Sequence, residues 1–128
     1  MNAAELIQVI DNCAFCRPVG RTTLEEAVTL GEDAIRFAKE HHLPKLLFNG
    51  SRLVGFPSPS LPERYFLNRR FAAAAAGQVQ VAVVIQREMI DPEKFGIMVA
   101  RNAGMSTDVF DNEAEALTWL LPKPEPTP

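Results

Sequence analysis

Apolar residues along this chain follow two different periods. Short runs such as Leu46-Leu47-Phe48 are continuous, as is typical of strands that are buried on both faces. Other segments, such as residues 24–38, repeat their apolar residues every three or four positions, which is typical of an amphipathic helix. Because the two patterns alternate along the chain, they predict strands that alternate with helices.

The chain is predicted to open with a hairpin, because Asp11 and Asn12 favour a turn between two short apolar runs at residues 6–10 and 13–19. Residues 79–85 are the most β-like segment, so we expect them to form the central strand. The other strands are predicted at residues 45–49 and 107–110. Four helices are predicted at residues 24–38, 62–76, 91–103 and 112–121.

Side chains that cap helices precede three of these helices. Thr22 or Thr23, Ser60 and Asn112 each stand three residues before a glutamate, which is the spacing of a capping box. Asp91-Pro92 is predicted to start the remaining helix, and Gly77 and Gly104 are predicted to end helices. The inner stripe of the third helix is expected to contain Phe95, Met98, Val99 and Asn102.

This order of elements predicts a single α/β domain over residues 1–121, with a mainly parallel or mixed β-sheet and four helices. The helices are expected to cover the sheet through right-handed crossovers. A chain of 128 residues can bury a sufficient core without a disulfide or a metal. Residues 122–128 alternate proline with polar residues, so we expect a disordered, proline-rich tail there.

Composition and charge narrow the class of partner. The chain is 47% hydrophobic and 23% charged, as soluble globular proteins are, and its net charge is −3. This charge offers no overall attraction to nucleic acid, so we expect no nucleic-acid partner. The apolar run at residues 71–76 is too short to span a membrane, and residues 1–10 lack the pattern of a signal peptide. We therefore expect a cytoplasmic protein.

The connection at residues 51–60 is long for a compact domain and contains Gly55, Pro57 and Pro59. It follows a buried strand, so it is expected at the carboxyl edge of the sheet, where ligands of open α/β sheets bind. A small anion or an acidic side chain of a partner can dock at this edge, near helix N-termini. The candidate binding residues there are Asn49, Phe56, Ser58, Ser60 and Arg87.

Other residues on the second helix have simpler interpretations. Arg64, Arg69 and Arg70 are expected on a solvated face. The alanine run at residues 72–76 permits close packing of this helix on the sheet, or leaves room for an apolar ligand beneath it. We favour close packing.

Cys13 and Cys16 have the spacing of a redox or metal pair but lack the context of either. No helix begins directly after them, and only His41 and His42 offer further metal ligands of the same kind. Three residues apart on a strand, the two thiols are expected to face opposite sides. We interpret them as structural thiols in a reducing compartment, and expect no cofactor and no metal. The two histidines suit the end of the first helix, where the helix dipole favours a cation.

Several stretches of the second half carry a more specific signal than the order of elements. They are Ala82-Val83-Val84, Phe95-Gly96, Ala100-Arg101-Asn102-Ala103-Gly104, Val109-Phe110 and Glu115-Ala116-Leu117-Thr118-Trp119-Leu120. In these stretches the chain resembles the SpoIIAA-like branch of the STAS family, the fold of anti-sigma factor antagonists. Gly20-Arg21-Thr22-Thr23-Leu24-Glu25 and Leu46-Leu47-Phe48-Asn49 match the family more loosely.

The resemblance implies a non-enzymatic module that binds another protein or a small ligand. Signalling members of the family are phosphorylated on a serine within Asp-Ser-Ser-Gly at the start of the second helix. Here Phe56-Pro57-Ser58-Pro59-Ser60 stands at that position, and Asn49 replaces the aspartate that ends the strand. Ser58 and Ser60 are therefore phosphorylation candidates only, because the motif itself is absent.

Three functional hypotheses follow. The first is a STAS-like protein-interaction or regulatory module whose partner is another protein, with a homodimer as one option. The second is a carrier or sensor that holds a small anionic or apolar molecule, or a lipid, in the crevice at the strand ends, and a deep apolar pocket would favour it. The third is a thiol enzyme that uses Cys13 and Cys16, which a thiol pKa near neutrality would favour.

Overall fold

The opening hairpin is confirmed by its turn. The computed structural model describes residues 2–122. Asp11 and Asn12 have φ angles of 47° and 61°, the left-handed pair that a type I′ turn requires. The turn joins β1 (Ile7–Ile10) to the antiparallel strand β2 (Cys13–Cys16). β2 ends before Pro18, which has no N–H for a strand ladder, and Leu6 belongs to a short helix, α1 (Ala3–Leu6).

The remaining elements include every predicted strand and helix, together with two short strands, at residues 20–21 and 53–54, that were not predicted. The strands are β3 (Gly20–Arg21), β4 (Lys45–Asn49), β5 (Leu53–Val54), β6 (Gln80–Val84) and β7 (Thr107–Phe110). The helices are α2 (Leu24–Glu40), α3 (Leu61–Ala75), α4 (Phe95–Asn102) and α5 (Glu113–Leu120). The predicted α/β class is therefore confirmed, with α1 as a fifth helix beside the four expected. The predicted tail at residues 123–128 lies outside the described residues.

Five strands form one mixed sheet in the order β1-β2-β4-β6-β7, in which every pair except β1 with β2 is parallel. The central strand is β4, so the prediction that residues 79–85 form it was wrong. The hairpin adds two strands on one side of β4, whereas β6 and β7 lie on the other. High β propensity marked β6 as buried on both faces, which does not specify its place in the order.

Alternate residues of the strands face two separate cores. Cys16, Leu46, Phe48 and Val81 pack with α1, α2, α3 and α4 on one face. Cys13, Phe15, Leu47, Ala82 and Val84 pack under α5 on the other face. The larger core therefore lies beneath the helices α2 to α4.

The capping residues in the sequence correctly predicted where α2, α3 and α5 start. Thr23 with Glu26 and Ser60 with Glu63 form complete capping boxes, and the Asn112 side chain accepts the Glu115 amide. At the end of α3, the first left-handed residue is Ala76, with a φ of 48°, one residue before the predicted Gly77.

The start and the inner face of α4 differ from the prediction. Residues 92 and 93 form a turn, and the Asp91 carboxylate reaches forward to accept the amide of Phe95 at 2.7 Å. The buried residues of α4 are Gly96, Ile97 and Ala100, whereas Met98 is 54% exposed. An eight-residue helix has only two turns, so its apolar residues do not specify one stripe.

Candidate functional site

A cavity of about 160 Å³ lies between the sheet and the helices α2, α3 and α4. Its walls are almost entirely apolar, and they include Ile35, Phe48, Phe71, Val81, Ile97 and Met105. Two connecting loops also line it, one between β4 and α3 and the other between β6 and α4. The first contributes Phe56 and Pro59 and the second contributes Met89, and all three side chains are half-buried. The cavity therefore reaches the surface on the side of these loops.

Small side chains leave this space open. Ala27 and Gly31 lie one helical turn apart on the face of α2 that lines the cavity, and β6 contributes Val81 and Val83. The Phe71 ring fills the position beside Gly31, where a Cβ would come within 3.0 Å of it. The alanine run of α3 is not involved, because Ala72, Ala74 and Ala75 are buried in close packing and none of them lines the cavity. The preference for close packing was correct.

Arg64 links the two loops beside the cavity. Its Nη1 donates to the carbonyl of Met89 at 3.0 Å, and its Nη2 donates to the Ser58 hydroxyl at 2.8 Å. Arg64 also lines the cavity and is half-buried. The sequence prediction placed it on a solvated face and was wrong. No local signal marked its role, because its acceptors lie in two separate loops, and the burial of Asn68 on the same face of α3 is a property of the folded protein.

Asn68 is a buried polar group in the cavity wall. It is 9% exposed, and its Nδ2 donates to the carbonyl of Arg64 at 2.8 Å. Gly96 of α4 faces it, and a Cβ there would lie 2.3 Å from this Nδ2. The glycine therefore permits α3 and α4 to approach closely at this end of the cavity.

Lys94 and Asp91 bring further charge to the lining. Lys94 pairs with Asp108 at 2.8 Å, and Arg101 pairs with the same carboxylate at 3.3 Å. Burial opposes ionisation of Asp108, but the hydrogen bond from Lys94 and the neighbouring cations hold its pKa below the ordinary value. The Lys94 ammonium thus already has a carboxylate partner within the protein, which it shares with Arg101.

The predicted site residues divide into two groups. Phe56 lines the cavity, Ser58 accepts from Arg64, and Ser60 caps α3 at the same side. Asn49 and Arg87 instead face the start of α5, where they donate to Glu113 at 2.7 Å and to Asp111 at 2.8 Å. The structure therefore brings three of the five candidates together at the cavity and separates the other two from them.

The predicted loop at residues 51–60 is tied to the start of the domain by backbone hydrogen bonds. Its β5 pairs in parallel with β3, and the Thr22 amide donates to the carbonyl of Val54 at 2.7 Å. At Gly55 the φ is +111°, and a Cβ would lie 2.6 Å from the carbonyl oxygen of Thr22. The loop is thus anchored to the start of α2, and Phe56 packs against the larger core instead of standing in solvent.

The start of α5 carries a closed polar cluster. Glu113 accepts from Arg17 at 2.8 and 3.0 Å and from Asn49 at 2.7 Å. The hydrogen bond from Arg17 is the main reason that the pKa of Glu113 is lowered. The Asn49 oxygen is also occupied, because it accepts the amide and the hydroxyl of Ser51. The Glu113 carboxylate and the Asn49 side chain therefore already have hydrogen-bond partners within the protein.

The two thiols face opposite sides of β2, as predicted, because Cys16 lies in the larger core and Cys13 beneath α5. Burial raises the pKa of Cys16 to about 11 and also raises the pKa of Cys13. Both thiols are therefore protonated at neutral pH, which is unfavourable for a nucleophile.

His41 caps the end of α2, stacks on Phe37 and is exposed, as is His42. Within residues 2–122, no group of three or more His, Cys, Asp or Glu side chains is arranged to hold a metal ion. In the same part of the chain, no helix has both the length and the apolar character needed to cross a membrane.

Comparison with known proteins adds little to this picture. No family model matches the sequence, and no curated protein matches it. A solved structure described as the NMR structure of the protein TM1081 is similar at 14% sequence identity, over 91% of this chain and 88% of that one, with a TM-score of 0.47. A likeness at this level supports no statement about fold or function.

Proposed function

We propose that this protein is a non-enzymatic carrier or sensor that binds a small apolar molecule in the cavity between the sheet and helices α2 to α4. The observation that carries the proposal is the cavity itself, with a volume of about 160 Å³ and almost wholly apolar walls. An apolar cavity of about 150 Å³ is large enough to bind benzene, so the ligand's apolar part is of the order of one ring or a short chain.

The energetic cost of such a space supports a functional role. Cavities in protein cores destabilise by about 24 cal/mol for each Å³, which for this volume is at most about 4 kcal/mol because the cavity is partly open. Domains of this size have only about 5–15 kcal/mol of total stability. A larger residue at Ala27 would recover part of this loss, so a space kept open is well explained by a ligand.

An NMR titration with small apolar molecules tests the proposal. Toluene, 1-hexanol and 2-phenylethanol are added to the ¹⁵N-labelled protein, and amide shifts are followed. We expect saturable shifts at Phe48, Val81 and Ile97, which line the cavity. Ala27→Leu fills the cavity from α2 and should abolish them, whereas Ala73→Leu, the same substitution at an exposed position, should not. No saturable shift in the folded wild-type protein would overturn the proposal.

A second candidate is a STAS-like regulatory module that binds another cytoplasmic protein. It is supported by the sequence resemblance and by the order of elements, a hairpin followed by three parallel strands that alternate with helices. It is also supported by the exposed apolar side chains of α3, because Leu61 is 55% exposed and Phe66 is 65% exposed. Capture by a partner that Phe66→Ser abolishes, with cavity binding unchanged, would favour this function.

A further inference from the structure

We infer that the ligand of the cavity is an anion with a small apolar body, such as an aromatic or short-chain carboxylate, and that Arg64 binds its charged group. This inference rests on the proposed function, and it adds the chemical class of the ligand. It is carried by the juxtaposition of an arginine and an apolar cavity, together with the partners that this arginine has.

Arg64 differs from the other arginines that hold elements together. Arg17, Arg70 and Arg87 each form an ion pair with a carboxylate, at 2.8 to 3.1 Å. Within residues 2–122, Arg64 makes no such pair, and its two hydrogen bonds go to neutral acceptors, the carbonyl of Met89 and the hydroxyl of Ser58. A guanidinium has five N–H donors, so Arg64 retains donors for a further acceptor.

The position of Arg64 suits a role in ligand binding. Arg64 is half-buried and lines a cavity whose other walls are mostly apolar. A charge at the edge of an apolar space is costly unless it is paired. A carboxylate suits a guanidinium best, because two parallel N–H donors can bind its two oxygens.

The other charged groups of the lining leave this role to Arg64. Lys94 already has a carboxylate partner in Asp108, which it shares with Arg101, whereas Arg64 has none among residues 2–122. Asp91 is the lining anion, and one of its oxygens accepts the amide of Phe95. Asp91 is not within ion-pair distance of Arg64, so it does not take the place of the ligand's carboxylate.

Phenylacetate and 2-phenylethanol form a matched pair for the test, because they share a ring and a two-carbon arm and differ in charge. Their affinities are measured by calorimetry for the wild-type protein, Arg64→Met and Arg69→Met. Arg69 is the exposed arginine of the same helix and serves as the control. We expect the wild type to bind phenylacetate at least about tenfold more tightly than 2-phenylethanol, as a charge-assisted hydrogen bond allows.

Arg64→Met should abolish this preference but should still bind 2-phenylethanol. Arg69→Met should retain the preference for phenylacetate. Equal affinities in the wild type, or a preference that survives in Arg64→Met, would overturn the inference and leave the proposed function intact. Binding of neither molecule to the folded wild type would overturn the inference, and it would overturn the proposed function as well if toluene and 1-hexanol also fail to bind. If Arg64→Met does not fold, Arg64→Gln, which keeps hydrogen-bonding capacity without charge, takes its place with the same expected loss of preference.

Discussion

Gly96 on α4 lies so close to Asn68 on α3 that a Cβ at position 96 would come within 2.3 Å of the Asn68 amide nitrogen. This contact is a point of close approach between two helices that wall the cavity. Asn68 is held in turn, because it donates to the backbone carbonyl of Arg64. The pair therefore fixes how closely the two helices of the cavity wall can pack.

Gly96→Ala should destabilise the protein by about 1–3 kcal/mol, because overpacking forces α3 and α4 apart. The free energy of unfolding in urea measures this loss. A double variant with Asn68→Ala removes the clashing amide, so its loss should be smaller than the sum of the two single losses. Strictly additive losses would show that the two residues do not constrain each other.

Removal of the cavity's loop wall should abolish ligand binding. The triple variant Phe56→Ala, Ser58→Ala and Ser60→Ala loses an apolar wall, an acceptor for Arg64 and the α3 cap. Loss of the cap alone costs about 1 kcal/mol, so Ser60→Ala is the matched control that keeps the wall. Binding of 2-phenylethanol, followed by NMR, should persist in the control only. Unchanged binding in the folded triple variant would exclude this loop from the site.

Cys16 should make the stability of the protein fall at alkaline pH. Its pKa is raised from 9.0 to about 11 by burial, so the protonated thiol stabilises the folded state at neutral pH. This contribution is fully present below the unfolded pKa and is lost as the pH rises through the folded value. Two pKa units correspond to about 3 kcal/mol of stability, lost between about pH 9 and pH 11.

Cys16→Ala isolates this effect from the titration of lysine and tyrosine. Urea unfolding at pH 8 and pH 11 should give a smaller decrease for Cys16→Ala than for the wild type. The wild-type thiols should also react with a thiol reagent at pH 8 only after unfolding. Rapid reaction of the folded protein would show that Cys13 or Cys16 is accessible and would contradict their burial.

Glu113 should contribute to stability only above acidic pH. Its pKa is lowered by Arg17, followed by Asn49, so its stabilising effect is present above the unfolded pKa and is lost as the pH falls through the folded value. Glu113→Gln should cost about 1 kcal/mol at pH 7, because the ion pair is partly screened by solvent. The difference should shrink as the pH is lowered into the acidic range in which Glu113 becomes protonated in the folded protein. A cost that is equal at neutral and at acidic pH would indicate packing and not charge.

Most elements of this fold were predictable from the sequence, because their signals are local. The hairpin follows from Asp11-Asn12, and the starts of α2 and α3 follow from Thr23 and Ser60, whose bonds reach only three residues along the chain. The opposite orientation of the two cysteines follows from the strand period alone. The resemblance to the STAS family remains a proposal.

The tertiary structure alone decided the central strand, the inner face of α4 and the cavity. Each depends on segments that are distant in sequence, such as the two helices that meet at Asn68 and Gly96, which are 28 positions apart. The role of Arg64 was hidden for the same reason, because its acceptors lie in two separate loops. The hydrogen bonds of a turn or a cap join residues that are close in sequence, so the sequence specifies them locally. A cavity is bounded by elements that are distant in sequence, so it exists only once those elements have packed.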